Sequence, residues 1–262
     1  MFRITGVVKH LLIINVLFFV ASKIFDTHYL ALYYFESDNF MPFQIVTHFF
    51  MHANLAHIFF NMFALVMFGS ALEALWGPKR FLFFYIFCAI GAALLHTFVN
   101  YIELAPLKDA LQIFQQDPSY QTFWNFFNKV NFKFFNTGFE QQVNALGEYV
   151  KTGGREASLQ ASNFMQQVYT LKIDSSAVVG ASGAIFGLLL AFGMKFPSTK
   201  LMLIFFPVPI KAKYFIPLMM VLELYLGVNN FSWDRIAHFA HLGGALFGFL
   251  LILYWRKFDP KI

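Results

Sequence analysis

Apolar residues along this chain gather into six long runs separated by polar segments. They cover about residues 7–25, 54–74, 81–99, 178–194, 212–228 and 236–254. A hydrocarbon layer is crossed by roughly 20 mostly apolar residues in a helix, fewer when flanking groups snorkel, so each run is predicted to be a membrane-spanning helix. The first carries Lys9 near its start and has the outline of a signal peptide, Arg3 before an apolar core and "VAS" after it. Because five more runs follow, an uncleaved first span is the reading adopted. Between the third and fourth runs the pattern changes: residues 100–177 mix polar and charged positions with aromatics. Within them Phe123, Phe127, Val130 and Phe134 fall at helical spacing, predicting an amphipathic helix for a membrane surface. Thr152-Gly-Gly-Arg155 is the clearest linker there.

Composition agrees with a lipid environment. Of the 262 residues, 58% are hydrophobic and 13% charged, and 38 are Phe, more apolar material than a water-soluble core holds. The single cysteine, Cys88, excludes an internal disulfide and a thiol-based metal cage. A formal charge of +5 raises nucleic acid as a partner. With the N-terminus in the cytoplasm, however, Arg3, Lys9, Lys79, Arg80, Lys195, Lys200, Lys211, Lys213, Arg256, Lys257 and Lys261 all fall on that side. This is the positive-inside pattern, and it accounts for the charge without nucleic acid. The fold expected is an all-α membrane protein: a six-transmembrane-helix bundle with both termini cytoplasmic and an extracytoplasmic helical insertion. Residues 1–99 form spans 1–3, 100–177 the insertion and 178–262 spans 4–6.

Polar side chains at membrane depth are costly and therefore draw functional attention. Five of the eight histidines lie in two stretches, His48, His52 and His57 in "THFFMHANLAHIFFN" and His238 and His241 in "AHFAHLGGALFG". His57 and Asn61 are four apart and share a helix face, as do His238 and His241 at three apart. Gly183-xxx-Gly187 and Gly244-xxx-Gly248 are steps that let helix backbones approach closely. Packing along them brings Ser182 toward His241, the pairing of a nucleophile with its general base. Other chemistries fit less well. His48-xxx-His52 has metal-ligand spacing, but Phe49 breaks the HExxH pattern. No Asp lies in the six runs, and Ala184 stands where a Gly-x-Ser-x-Gly elbow needs glycine. Glu73 is expected to support the loop before Lys79 and Arg80, and Glu223 has no assignable partner beyond a structural or gating role.

Taken together, His52-x4-His57-x3-Asn61, Gly180-Ala181-Ser182-Gly183 and Ala240-His241-Leu242-Gly243-Gly244 with Gly248 resemble the rhomboid intramembrane serine proteases. "FQIVTHFFMH" (43–52) and "GSALEALWGPKRFLFFY" (69–85) are similar, respectively, to that family's approach to the second span and its link to the third. The resemblance implies a serine endopeptidase that cleaves transmembrane or juxtamembrane segments of single-span proteins, with the bilayer and those substrates as partners and no cofactor or metal. Ser182 would be the nucleophile and His241 the base, a dyad without an acid. His57, Asn61 and the Ser182 backbone N–H would hold the oxyanion. His52, Gly180, Phe186 and Gly244 would support the site, and His238 at most so. Phe186 replaces the family's usual tyrosine, keeping ring stacking while losing a phenolic hydrogen bond. The Trp-Arg pair of some members' first external loop is absent from residues 26–47.

The insertion is the largest departure from this pattern and is read either as a cap or interfacial platform that restricts which substrates enter or as a passive surface decoration. With no Arg- and Ser-rich transit segment before the first run, a bacterial plasma (inner) membrane is the localisation expected. Two alternatives stand beside the protease: a non-catalytic rhomboid-like binder of transmembrane helices, and a transporter relaying protons through His and Glu223. The transporter reading lacks the paired halves such folds often show.

Overall fold

The computed structural model describes residues 4–130, 137–203, 206–229, 231, 234 and 236–258. Arg3, Phe134 and Lys261, used above, lie outside the described residues. The chain is mostly helical: α1 (Gly6–Ala21), a single turn α2 (Gln44–Thr47), α3 (Leu55–Trp76), α4 (Pro78–Gln116), α5 (Tyr120–Phe127), α6 (Thr137–Lys151), α7 (Arg155–Asp174), α8 (Ser182–Lys195), α9 (Ala212–Asn229) and α10 (His238–Phe258). Among the described residues, α3, α4 and α10 are long and apolar enough to cross a membrane, while α1 and α8 are shorter apolar helices. One feature departs from an all-α expectation. Between α8 and α9, strands β1 (Lys200–Leu203) and β2 (Phe206–Lys211) pair antiparallel, with Lys200 opposite Lys211.

The residues divide into two compact units. The first comprises residues 1–32, 40–97 and 178–262, the second residues 33–39 and 98–177. In the first unit, Val8, Leu65, Leu72, Phe81, Phe84, Tyr85, Cys88 and Leu188 form a fully buried core. Helix α3 carries a π-turn at Leu65–Gly69.

Glu73 does something other than brace the following loop. The first N–H groups of a helix have no intrahelical acceptor, and Thr5, the residue before α1, supplies no side-chain cap. The buried Glu73 carboxylate takes their place. Oε1 accepts from the Val7 N–H at 2.9 Å, and Oε2 accepts from the Val8 N–H at 3.0 Å and from the Thr5 hydroxyl. Its negative charge also complements the helix dipole. Glu73→Ala is expected to lower stability by about 2–3 kcal/mol, because it orphans several bonds to a charged acceptor. Unfolding in detergent, followed by circular dichroism, reads this loss.

The second unit corrects two sequence expectations. Helix α4 does not stop near residue 99 but runs on to Gln116 through Pro106. Its later turns place Leu104, Leu107, Ala110, Leu111 and Phe114 at helical spacing, and all five are buried in this unit's core. The aromatic stretch is likewise internal. Helix α5 is a short helix opened by a Ser119–Thr122 capping box and ended at Phe127. Phe123, Phe126 and Phe127 are all 0% exposed, packed with Met165, Val168 and Ile173 of α7. Phe123, Phe127 and Val130 thus lie in a protein core and are not the membrane-surface stripe expected of them. Residues 33–39 join this unit through Glu36, which accepts from Lys108 Nζ at 2.9 Å and Tyr169 Oη at 3.0 Å. Burial, aided by that carboxylate, pushes the Tyr169 phenol up. The linker glycines Gly153 and Gly154 take positive φ, 74° and 109°, in the turn between α6 and α7.

Candidate active site

Ser182 is the first residue of α8, and the segment before it is tied down on both sides. Leu32 and Val178 exchange backbone hydrogen bonds of 3.0 and 2.9 Å, and the Gly180 N–H donates to the His48 carbonyl at 2.9 Å. Gly180 has φ +125°, and a Cβ there would stand 2.7 Å from both Cε1 and Nε2 of His57. Only glycine permits both the backbone turn and the close seat of the His57 ring.

Helices α8 and α10 meet glycine to glycine. A Cβ on Gly244 would fall onto the Gly183 carbonyl, and one on Gly187 would lie 2.9 Å from the Gly244 oxygen. Gly243 packs as closely on α4, where its Cβ would be 2.8 Å from the Gly91 oxygen and 3.0 Å from Ala92 Cα. This proximity brings Ser182 Oγ to 2.8 Å from His241 Nε2. The His241 ring lies flat on Phe186, with centroids 4.1 Å apart and planes 7° from parallel. Stacking from one side and a bond at each ring nitrogen leave the imidazole little freedom.

At the start of α3, Asn54 caps the helix by accepting the His57 N–H at 2.9 Å. The Ala53 N–H points at His57 Nδ1, 3.4 Å away. Nδ1 is thus an acceptor, the ring hydrogen sits on Nε2, and that nitrogen faces Gly180. One turn on, Asn61 is buried and its Nδ2 has no hydrogen-bond partner among the described residues. An unpaired buried donor is costly and uncommon, and it is what a site awaiting an acceptor would hold. His52 is buried, edge-on to His57 at 5.1 Å between centroids. His48 is also buried, its Nδ1 bonded to the Gln44 carbonyl at 2.8 Å.

Two acids complete the neighbourhood: Glu223, whose partner the sequence leaves unassigned, and Asp234, which its patterns do not single out. Glu223 of α9 has a partner after all: Oε2 lies 2.8 Å from His241 Nδ1 and 2.7 Å from His238 Nδ1. His238 Nε2 in turn lies 2.9 Å from Asp234 Oδ2. The expectation that no acid accompanies His241 is therefore corrected: a carboxylate stands at the ring nitrogen opposite Ser182. The four-residue step from Asp234 to His238 is visible in the sequence, whereas Glu223 and His241, 18 positions apart on different helices, share no local pattern. Glu223, His238 and His241 also offer three atoms within 4.8 Å of one another, enough to hold a metal ion. A cation there would replace two hydrogen bonds of ordinary length.

A family model described as the Rhomboid domain matches residues 39–103 and 151–258. An uncharacterized mitochondrial rhomboid protein of Schizosaccharomyces pombe is 28% identical over 220 residues, which is 81% of this chain and 51% of that protein. The chain thus spans about half the length of that curated relative.

Proposed function

Since the chain belongs to the rhomboid family, whose members are generally intramembrane serine proteases, we propose that it is a serine endopeptidase cleaving single-span membrane proteins in or beside their transmembrane segments. The observation that carries this reading is the 2.8 Å contact between Ser182 Oγ and His241 Nε2. Oγ bonds to the substrate carbonyl carbon while its proton passes to Nε2. The tetrahedral intermediate then collapses, the C–N bond breaks, and the amine leaves with that proton. Water, activated by the same nitrogen, hydrolyses the acyl-enzyme. Developing negative charge on the carbonyl oxygen is met by the His57 Nε2–H, the Asn61 amide and the Ser182 N–H at the open first turn of α8.

The unpaired Asn61 Nδ2 gives this oxyanion assignment its own test. Asn61→Ala is expected to lower turnover about 100-fold or more, with no comparable loss of thermal stability, because the donor has no partner among the described residues. The overall reading is tested by incubating the detergent-purified protein with a single-span substrate and with a fluorophosphonate. Cleavage, together with covalent labelling at Ser182, is the expected result.

The helices are read as six spans, with α1, α8 and α9 crossing beside the three longer ones and the termini cytoplasmic. The Lys and Arg positions support that orientation. Residues 100–177 are read as holding an insertion into the family's core, supported over 104–150 by the gap in the family match, while 100–103 and 151–177 lie within that match. Its proposed role in limiting substrate entry rests on its place in the chain before Gly180, since its aromatics are spent on its own core. A bacterial plasma membrane is the compartment proposed, with the S. pombe relative's mitochondrial name as the alternative that fractionation of the native cells decides.

A further inference from the structure

We infer that Glu223 is a positioning residue for the base, making the reactive group a Ser182–His241–Glu223 triad that His238 and Asp234 hold in place. The inference rests on the protease reading above.

Geometry carries it. His241 Nε2 faces Ser182 Oγ, so Nε2 serves as a base only when the ring hydrogen sits on Nδ1. The Glu223 carboxylate at 2.8 Å from Nδ1 is an acceptor and cannot donate when ionised, so it selects that tautomer. It also lies where positive charge appears on the ring as the serine proton arrives. With Phe186 against the ring face, the carboxylate bond stops rotation about the ring axis, which would carry Nε2 away from Oγ.

The carboxylate is itself fixed. Oε2 also faces His238 Nδ1 at 2.7 Å, and the opposite nitrogen of that ring faces Asp234 Oδ2 at 2.9 Å. The His238 ring thus bridges the Glu223 and Asp234 carboxyl groups through its two nitrogens. Asp234 accepts the Ile236 N–H at 2.9 Å through its other oxygen, anchoring the outer end of the chain. The His238 and Asp234 side chains are each 5% exposed and that of Glu223 13%, so solvent screens the array little. A carboxylate buried at this depth without a purpose would be costly.

The test compares wild type, Ser182→Ala, Glu223→Gln and Glu223→Asp by fluorophosphonate labelling, which separates how many sites are competent from how fast each reacts. Glu223→Gln is expected to label to near the wild-type stoichiometry but at least about 100-fold more slowly, with kcat for substrate falling in parallel and KM little changed. Glu223→Asp, which restores the carboxylate, is expected to recover part of the rate. A structural role alone would instead lower the stoichiometry and leave the rate per site intact. Glu223→Gln labelling at the wild-type rate while Ser182→Ala does not label overturns the triad and leaves the protease reading standing. Wild type that neither labels at position 182 nor cleaves overturns both.

Discussion

Ser182→Ala is expected to abolish detectable cleavage of a single-span substrate, a loss on the order of a millionfold in turnover, and His241→Ala to do the same. The two losses should be nearly equal and should not add, because the proposed nucleophile and base would act as one unit across a single 2.8 Å contact. Ser182→Ala removes one oxygen at the first position of α8, so its fold should survive. His241→Ala vacates the space beside Phe186 and leaves Glu223 with one imidazole, so its thermal unfolding is measured alongside. Wild type and both variants run on one gel decide the matter. Equal cleavage by all three would overturn the peptidase reading. Substrate captured but uncut by equally folded wild type would favour the non-catalytic binder.

The second large effect is structural in origin. Gly244→Ala should destabilise the protein by about 1–3 kcal/mol or more and reduce activity further than stability alone explains. Alanine is the better helix former by up to about 1 kcal/mol, so a helix with room to spare would gain from the change. Gly244 has none, since the new methyl would land on the Gly183 carbonyl. Helices α8 and α10 must then separate. Ser182 is adjacent to Gly183, and His241 is three residues before Gly244, so the separation lengthens the contact on which the chemistry depends. Gly6→Ala is the control: its nearest neighbour would be Glu73 Oε1 at 3.9 Å, an ordinary contact. Parallel melting curves and cleavage rates distinguish the two positions.

Much of this protein was legible in its sequence because the signals are local. Apolar run length marks where α3, α4 and α10 are able to cross a bilayer. Spacing of four placed His57 and Asn61 on one face, and the small-xxx-small steps placed Ser182 and His241 beside a close helix contact. These patterns repeat at the helical period, so they survive without knowledge of the partner helix.

The tertiary structure alone decided whatever depends on how one helix is rotated and shifted against another. Glu223 meets His238 and His241 because α9 turns one face toward α10, and no spacing within either helix encodes that rotation. Glu73 reaches back 65 or more residues to cap α1. The direction of Phe123, Phe126 and Phe127 depended on a neighbour, too: an apolar face reads the same whether lipid or α7 covers it. The amino-acid sequence by itself thus determined where the apolar helices lie and which polar groups they carry. Long-range packing decided which of those groups touch, since a buried charge is tolerated only where a partner from another helix meets it.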